Sequence, residues 1–284
     1  MSNPPWKPLF LTHIETLKPP TFTLATTTTT PPSHPSLNPF HDPITPQPAS
    51  HHLTPRCRIM IYRGFLTSLP PNPDNPLSSH NPPLYTSYLP TFTTDSRTTK
   101  TSELLNTSKP GECIGTSAGE YVEAMFWFES TQNQWRMRGR TYLLAEEDVD
   151  DTPAVTEVLE RYIVAQNTSP EVQERKKNEW TWKKEVQMHF ANLTPSLRGS
   201  FANPPPGTPV SLSDDGGVIK GAKIQDEDVM NEDGIAAVAR RNFRVGVIVP
   251  EIVERLDLEE DDAKARRWVY WIEDGEWKVQ ETWP

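Results

Sequence analysis

Hydrophobic and polar residues alternate with a period of two through much of this chain, the spacing that sends successive side chains to opposite faces of a β-strand. The clearest case is residues 56–65, RCRIMIYRGF. There Cys57, Ile59, Ile61 and Arg63 share one face, and Arg58, Met60 and Tyr62 share the other. The same pattern predicts strands over 21–29 (TFTLATTTT), 89–94, 120–130 (EYVEAMFWFES) and 133–145 (NQWRMRGRTYLLA), the last two joined by a tight turn near Thr131–Asn133. Along 133–145, Gln134, Arg136, Arg138 and Arg140 point one way, Trp135 and Met137 the other. Three more strands follow at 242–250, 266–274 and 276–284, with Asp274-Gly275 as a hairpin turn between the last two. Helical signals are fewer. They predict a short helix over 101–106, another over 152–166 with Pro153 in its first turn, and one or two between 170 and 201 with Trp180, Trp182 and Phe190 as core contacts. Strands so numerous and so closely spaced exclude βαβ units, and the fold class is α+β, mainly β.

Between these elements the pattern dissolves. The chain has 30 prolines against 13 glycines in 284 residues, roughly twice the usual proline content of ~5%. Many of them fall in insertions at about 30–54 and 68–88, and a third insertion, at 205–238, is acidic and Gly-rich in its later part. Nine tryptophans argue for an ordered core all the same, so residues 1–284 read as a single domain. His51 and His52 sit in the first insertion, and a lone pair is too few for a metal site.

The formal charge is −10. Acid clusters at Glu146–Asp151, Asp226–Asp233 and Glu259–Asp262 carry most of the excess and read as solvated loops. No basic stripe is present to displace counterions, which excludes general nucleic-acid binding. No run approaches the ~20 apolar residues that span a bilayer, and MSNPPWKPLF lacks the basic-then-apolar order of a secretory signal. Two cysteines, Cys57 and Cys113, give neither a disulfide framework nor a zinc site, and the expected compartment is the cytoplasm.

The candidate chemistry lies in FTTDSRTTK, residues 92–100, where a strand hands over to a helix. A helix N-terminus favours an anion, the hydroxyls of Ser96, Thr98 and Thr99 add donors, and Arg97 and Lys100 add charge. This is the chemistry of a phosphate clamp without the Gly-rich loop of a nucleotide P-loop. The same residue types also describe an ordinary capped helix with solvated charges, and the stretch alone does not choose between the two.

The order of segments around it does. A strand with RxxxxRGF comes first, then one ending TTDSRTTK, then FWFES, a turn and QWRMRG. This succession resembles the pyridoxamine 5'-phosphate oxidase-like family of FMN-binding split barrels. PPW near the start, LTPSLRGSFANPPPGTP, NFRVGVIVPEIVERLDL and GEWKVQETWP extend the resemblance. It implies a six- to eight-stranded antiparallel split β-barrel with peripheral helices, binding FMN. It implies Arg58 near the phosphate or ribityl chain, Arg63 near the ring and substrate, Thr93 and Thr94 touching the cofactor, and Lys100 on the phosphate. Thr99 stands where the oxidases commonly carry an arginine, and Arg97 is expected to compensate; Ser96 joins the same clamp. Gln134 matches a glutamine that bonds the isoalloxazine edge, and Arg266 falls where a late arginine approaches the ring. Leu256 replaces the family's late tryptophan. The residues that grip the substrate phosphate in the true oxidases have no counterpart here, so no substrate follows.

The resemblance further implies a homodimer with the cofactor at the subunit contact. The function expected is that of a flavoprotein oxidoreductase of unassigned substrate. A non-catalytic FMN carrier or sensor, and a flavin-free interaction scaffold, stand as alternatives. No catalytic base is identifiable, and His189 reads as a packed or surface residue on its helix.

Overall fold

The computed structural model describes residues 3–28, 53–70, 72, 75, 80–105, 114–166, 177–209, 221–258 and 264–284. His51, His52, Cys113, the cluster Glu259–Asp262 and most of the first insertion lie outside the described residues.

The alternating segments form one antiparallel sheet of nine strands. These are β1 (Thr21–Thr28), β2 (Thr54–Ile61), β3 (Gly64–Phe65), β5 (Pro90–Asp95), β6 (Ser117–Phe128), β7 (Asn133–Leu144), β9 (Phe243–Asp257), β10 (Arg266–Glu273) and β11 (Glu276–Thr282). Short strands β4 (Tyr85–Thr86) and β8 (Val164–Ala165) pair separately. The main order is β11-β10-β9-β7-β6-β1-β2. Strand β9 is 15 residues long and branches the sheet. Its first half pairs with β5 and its second half with β10, while β7 runs along its other edge. At the far end, the chain leaving β2 turns onto β5: Arg63 N–H donates to Thr91 O at 2.9 Å, and Gly64 and Phe65 pair with Thr91 and Pro90. The sheet therefore curls back toward its own start, the split-barrel form expected from sequence.

Burial follows the alternation. Phe22 and Leu24 of β1, Ala124, Phe126 and Phe128 of β6, Trp135 and Met137 of β7, and Val245 and Val247 of β9 all point inward. Phe92 crosses to Gly246, where a Cβ would sit 2.2 Å from the phenyl ring, so only glycine lets that ring lie flat on the neighbouring strand. Asp274 and Gly275 have φ of 51° and 78°, the pair of left-handed residues that a two-residue hairpin needs.

Six α-helices lie around the sheet among the described residues. Helix α1 (Lys7–Ile14) is not signalled by periodicity. It carries Phe10, and with the preceding Trp6 it plugs one end of the barrel against Tyr62, Phe65, Phe126 and Trp135. Helix α2 (Thr99–Leu104) starts two residues earlier than expected, because Thr98 caps it by accepting from Thr101 N–H. Helix α3 (Pro153–Glu160) stops six residues short of Gln166, as Val164 and Ala165 leave to pair with Tyr85 and Thr86. Helices α4 (Trp182–Ala191) and α5 (Pro195–Ser200) occupy the block expected to be helical. Helix α6 (Gly234–Asn242) begins inside the stretch read as loop; its Ala-rich run, with Arg240 and Arg241 in the last turn, was the signal.

The acid clusters also differ from expectation. Glu146 bonds Arg240 at 3.0 Å, Glu147 holds the fully buried Arg244 at 2.9 Å, and Asp148 accepts from Thr116 N–H. Asp226 pairs with the fully buried Arg198. Carboxylates close in sequence here serve separate cations brought up by distant segments.

Candidate functional site

Strands β2 and β5, helix α2 and the segment after α5 enclose a cleft of about 530 Å³. Arg63, Thr93, Thr94 and Lys100 line it together with Ile59, Met60 and Ile61. The facing wall is built from Leu197, Phe201, Asn203 and Pro204. Lys100 Nζ lies 3.6 Å from Met60 Sδ, and Arg63 Nε donates to Thr93 Oγ1 at 3.3 Å. Among the described residues neither cation has a carboxylate partner. The Lys100 ammonium is lowered to about 8, first by burial and then by Arg58, with Asp95 and Glu103 opposing the shift. Burial also lowers Arg63. Two cations drawn out of water without a counter-ion are costly to the empty protein and favourable for an incoming dianion.

The other residues expected at the phosphate are placed differently. Arg58 does not line the cleft. Its guanidinium donates to Glu103 and to Thr26 Oγ1 (2.8 Å), and Glu103 also accepts from Thr26. Arg97 grips Asp95 through Nε (3.0 Å) and a terminal nitrogen (2.7 Å), and donates to the carbonyls of Phe201 and Asn203, both at 3.0 Å. It faces the wall rather than the open space. Ser96 is buried, with its N–H on Asn242 O at 2.8 Å, and Thr99 is exposed at the head of α2. The backbone donors are also largely engaged: Arg97 N–H goes to Asp95 Oδ1, Thr98 N–H to Asp95 O and Thr101 N–H to Thr98 O. The anion-seeking character of the stretch thus rests on side chains rather than on the start of α2.

Gln134 lies elsewhere on the same outer face of the sheet. With Arg136, Glu254, Leu256, Arg267 and Pro284 it lines a smaller cavity of about 200 Å³. Strands β6 and β1 separate β7 from β2, so the two cavities lie about 14 Å apart across three strand spacings. Arg266 does not reach either. It points to the opposite face, makes a two-pronged pair with Glu281 at 2.8 Å and lies over the Trp268 ring. Its neighbour Arg267 stands beside Gln134 and Leu256 and bonds Glu254. A one-residue difference in register exchanges the faces of a strand, so Arg267 rather than Arg266 faces the Gln134 cavity.

Arg136, Arg138 and Arg267 all converge on Glu254. Burial would raise that carboxyl, but hydrogen bonds from Arg267 and Arg136 outweigh it and hold the group below its usual range. His189 is fully buried on α4, pushed down to about 3 first by burial and then by Arg63 and His80. It is neutral at physiological pH and packed, as its helical position indicated.

Residues 44–145 match the family model of the pyridoxamine 5'-phosphate oxidase FMN-binding domain. The match spans β2 to β7, and so includes both cleft cations and Gln134. Among solved structures, a pyridoxamine 5'-phosphate oxidase-related FMN-binding protein from Nostoc punctiforme aligns over 100% of both chains at 18% identity and a TM-score of 0.54. PhzG from Burkholderia lata, determined with tetrahydrophenazine-1-carboxylic acid, aligns over 100% of this chain and 94% of its own at 12% identity, with a TM-score of 0.42 that carries no weight for the fold. No significant match to a curated protein is found. The segment 44–145 is thus similar to the pyridoxamine 5'-phosphate oxidase FMN-binding domain, and the fold around it is similar to that of the Nostoc protein. No helix among the described residues is long and apolar enough to cross a membrane.

Proposed function

We propose that this chain binds FMN and acts as a flavin-dependent oxidoreductase of unassigned substrate, working in the cytoplasm. The observation that carries the reading is Lys100 with Arg63: two desolvated cations at one cleft, without a described acidic partner, inside the segment that matches an FMN-binding domain. The fit to a phosphate monoester is chemical. Lys100 supplies a point charge, and Thr93 and Thr94 supply hydroxyl donors. Arg63 stands farther along β2 and is placed to meet negative charge toward the ring. Arg58 supports this indirectly, by fixing Glu103 and with it α2, which carries Lys100. The flavin, when bound, supplies the redox chemistry. The chain's part is to hold the phosphate, orient the ring and exclude water with Ile59, Ile61, Leu197 and Phe201.

Gln134 and Arg267 enter this reading through a second copy of the chain. A two-fold dimer sets the Gln134 cavity of one protomer against the Lys100 cleft of the other, an isologous contact in which both pairs form at once. The outward surface between the two cavities supports it. Ile59 is 75% exposed, Ile61 37% and Trp127 39%, an apolar surface that a partner would cover. Arg267 then takes the place at the ring edge expected of Arg266.

Titration of the purified full chain with FMN, followed by flavin fluorescence and by light scattering, tests both parts. Saturable binding at one FMN per protomer of a dimer is expected, with bleaching by a reduced donor and recovery in air. A bound flavin that no donor reduces leaves a carrier in place of an oxidoreductase. Absence of FMN binding overturns the reading.

A further inference from the structure

We propose that Arg97 is a positioning residue that latches the Phe201–Pro206 wall onto the cleft, and that it does not hold the cofactor phosphate; this rests on the flavin reading above.

Three observations converge on that wall. First, Arg97 is anchored by a two-pronged pair with Asp95, itself a residue of the cleft lining, and its remaining reach is spent on the carbonyls of Phe201 and Asn203. Both residues line the cleft from the far side. Second, a parallel tie runs beside it: Ser96 N–H holds Asn242 O, and Asn242 Nδ2 donates to the same Phe201 carbonyl at 2.8 Å. Third, the wall is fixed at its root by Arg198, which is fully buried, donates to Leu193 O (2.9 Å) and Gln225 O (3.2 Å), and pairs with Asp226. The wall thus has a base held by Arg198 and, among the described residues, a tip tied by Arg97 at Phe201 O and Asn203 O, by Asn242 at Phe201 O, and by the Phe201 ring packed on Phe190 and Phe243.

A guanidinium is suited to this corner because its planar fork can meet a carboxylate on one edge and carbonyls on the other. Lysine keeps the charge but cannot make both sets of bonds. The segment FTTDSRTTK therefore has two outputs. Lys100, Thr93 and Thr94 face the anion, while Ser96 and Arg97 face the wall and set its distance from the anion. Closing a site against water in this way strengthens every polar contact inside it.

The test uses full-length Arg97→Ala, Arg97→Lys and Lys100→Ala proteins, with thermal unfolding to confirm folding. Amide hydrogen exchange over 198–203 is measured without flavin, and affinities for FMN and for riboflavin, which lacks the phosphate, are measured by fluorescence. The latch predicts exchange at the wall about tenfold faster in both Arg97 variants, the scale of one lost charged hydrogen bond. It also predicts FMN and riboflavin weakened by the same factor in both, whereas Lys100→Ala weakens FMN alone. Unchanged exchange at 198–203 overturns the proposal, as does an Arg97 variant that loses FMN while keeping riboflavin, or an Arg97→Lys protein that behaves as wild type. If the wild-type chain binds neither flavin, the flavin reading fails by itself, and the exchange measurement still decides the latch.

Discussion

Two arginine- and lysine-bearing regions of the barrel exterior look alike in sequence and differ in what surrounds them. On β7, β9 and β10, three arginines close on Glu254, which is 5% exposed and fully engaged. At the β2–β5–α2 cleft, Arg63 and Lys100 are drawn from water; among the described residues their side chains meet a threonine hydroxyl and a thioether but form no ion pair. The first arrangement satisfies itself. In the second, on the reading proposed above, the partner would be the anion of a bound cofactor. A cation's surroundings, more than its presence in a motif, decide whether it is structure or site.

Neutralising both cleft cations should break the contrast most. Replacing Lys100 and Arg63 together by alanine removes two charge-assisted contacts of about 1.5–3 kcal/mol each, so FMN affinity is expected to fall about a thousandfold by calorimetry. The fold should hold, because neither residue pairs with a described acid. Next in size is the saturated cluster. Glu254→Gln removes the charge that three arginines share, though Arg136 and Arg138 keep Glu123 at 3.9 and 3.6 Å, and after allowance for their partial exposure the expected loss is about 1–2 kcal/mol in urea unfolding. Since Glu254 is held below its ordinary 4.5, its contribution is present above that pH and disappears as pH falls through the folded value. Wild type and Glu254→Gln should therefore converge in acid; a gap that persists would show the loss to be packing.

The third prediction is a pH dependence of binding. The free Lys100 ammonium titrates at about 8 against 10.5 in an unfolded chain. Folding stability should thus rise with pH between those two values, as the unfolded state holds the extra proton. FMN affinity runs the other way: level between about pH 6.5, where the phosphate is a dianion, and pH 8, then falling by about tenfold per unit until the bound lysine also titrates. Lys100→Ala should abolish that fall. Smallest and sharpest is the comparison of neighbours on β10. Arg267→Ala should weaken FMN by about tenfold, one modest hydrogen bond, and Arg266→Ala should leave it within about twofold, the size expected for an exposed ion pair. The reverse order would return the ring-edge role to Arg266.

Much of the fold was legible along the chain because strands announce themselves locally. The alternation of 56–65, the paired segments 120–130 and 133–145, and Asp274-Gly275 each specify their geometry within a few residues. Helix α1 was not, since its apolar residues show little period; α6 was missed because it begins inside the acidic, Gly-bearing stretch that reads as loop. The site was half legible. Strand alternation and the handover from β5 to α2 bring Arg63, Thr93, Thr94 and Lys100 to one cleft, as local pattern and family likeness implied. Arg58 and Arg97 carry the same charge in the same segments, yet their guanidiniums are taken by Glu103 and by Asp95 with the far wall.

By itself, then, the sequence determined which stretches are strands, where the hairpin turns, and that cations gather beside β5. Only the tertiary structure decided which of those cations remain unneutralised. Backbone geometry is set by neighbours a few residues away, whereas a charge is often neutralised by a distant segment that folds up against it: residue 254 for Arg136, residue 103 for Arg58.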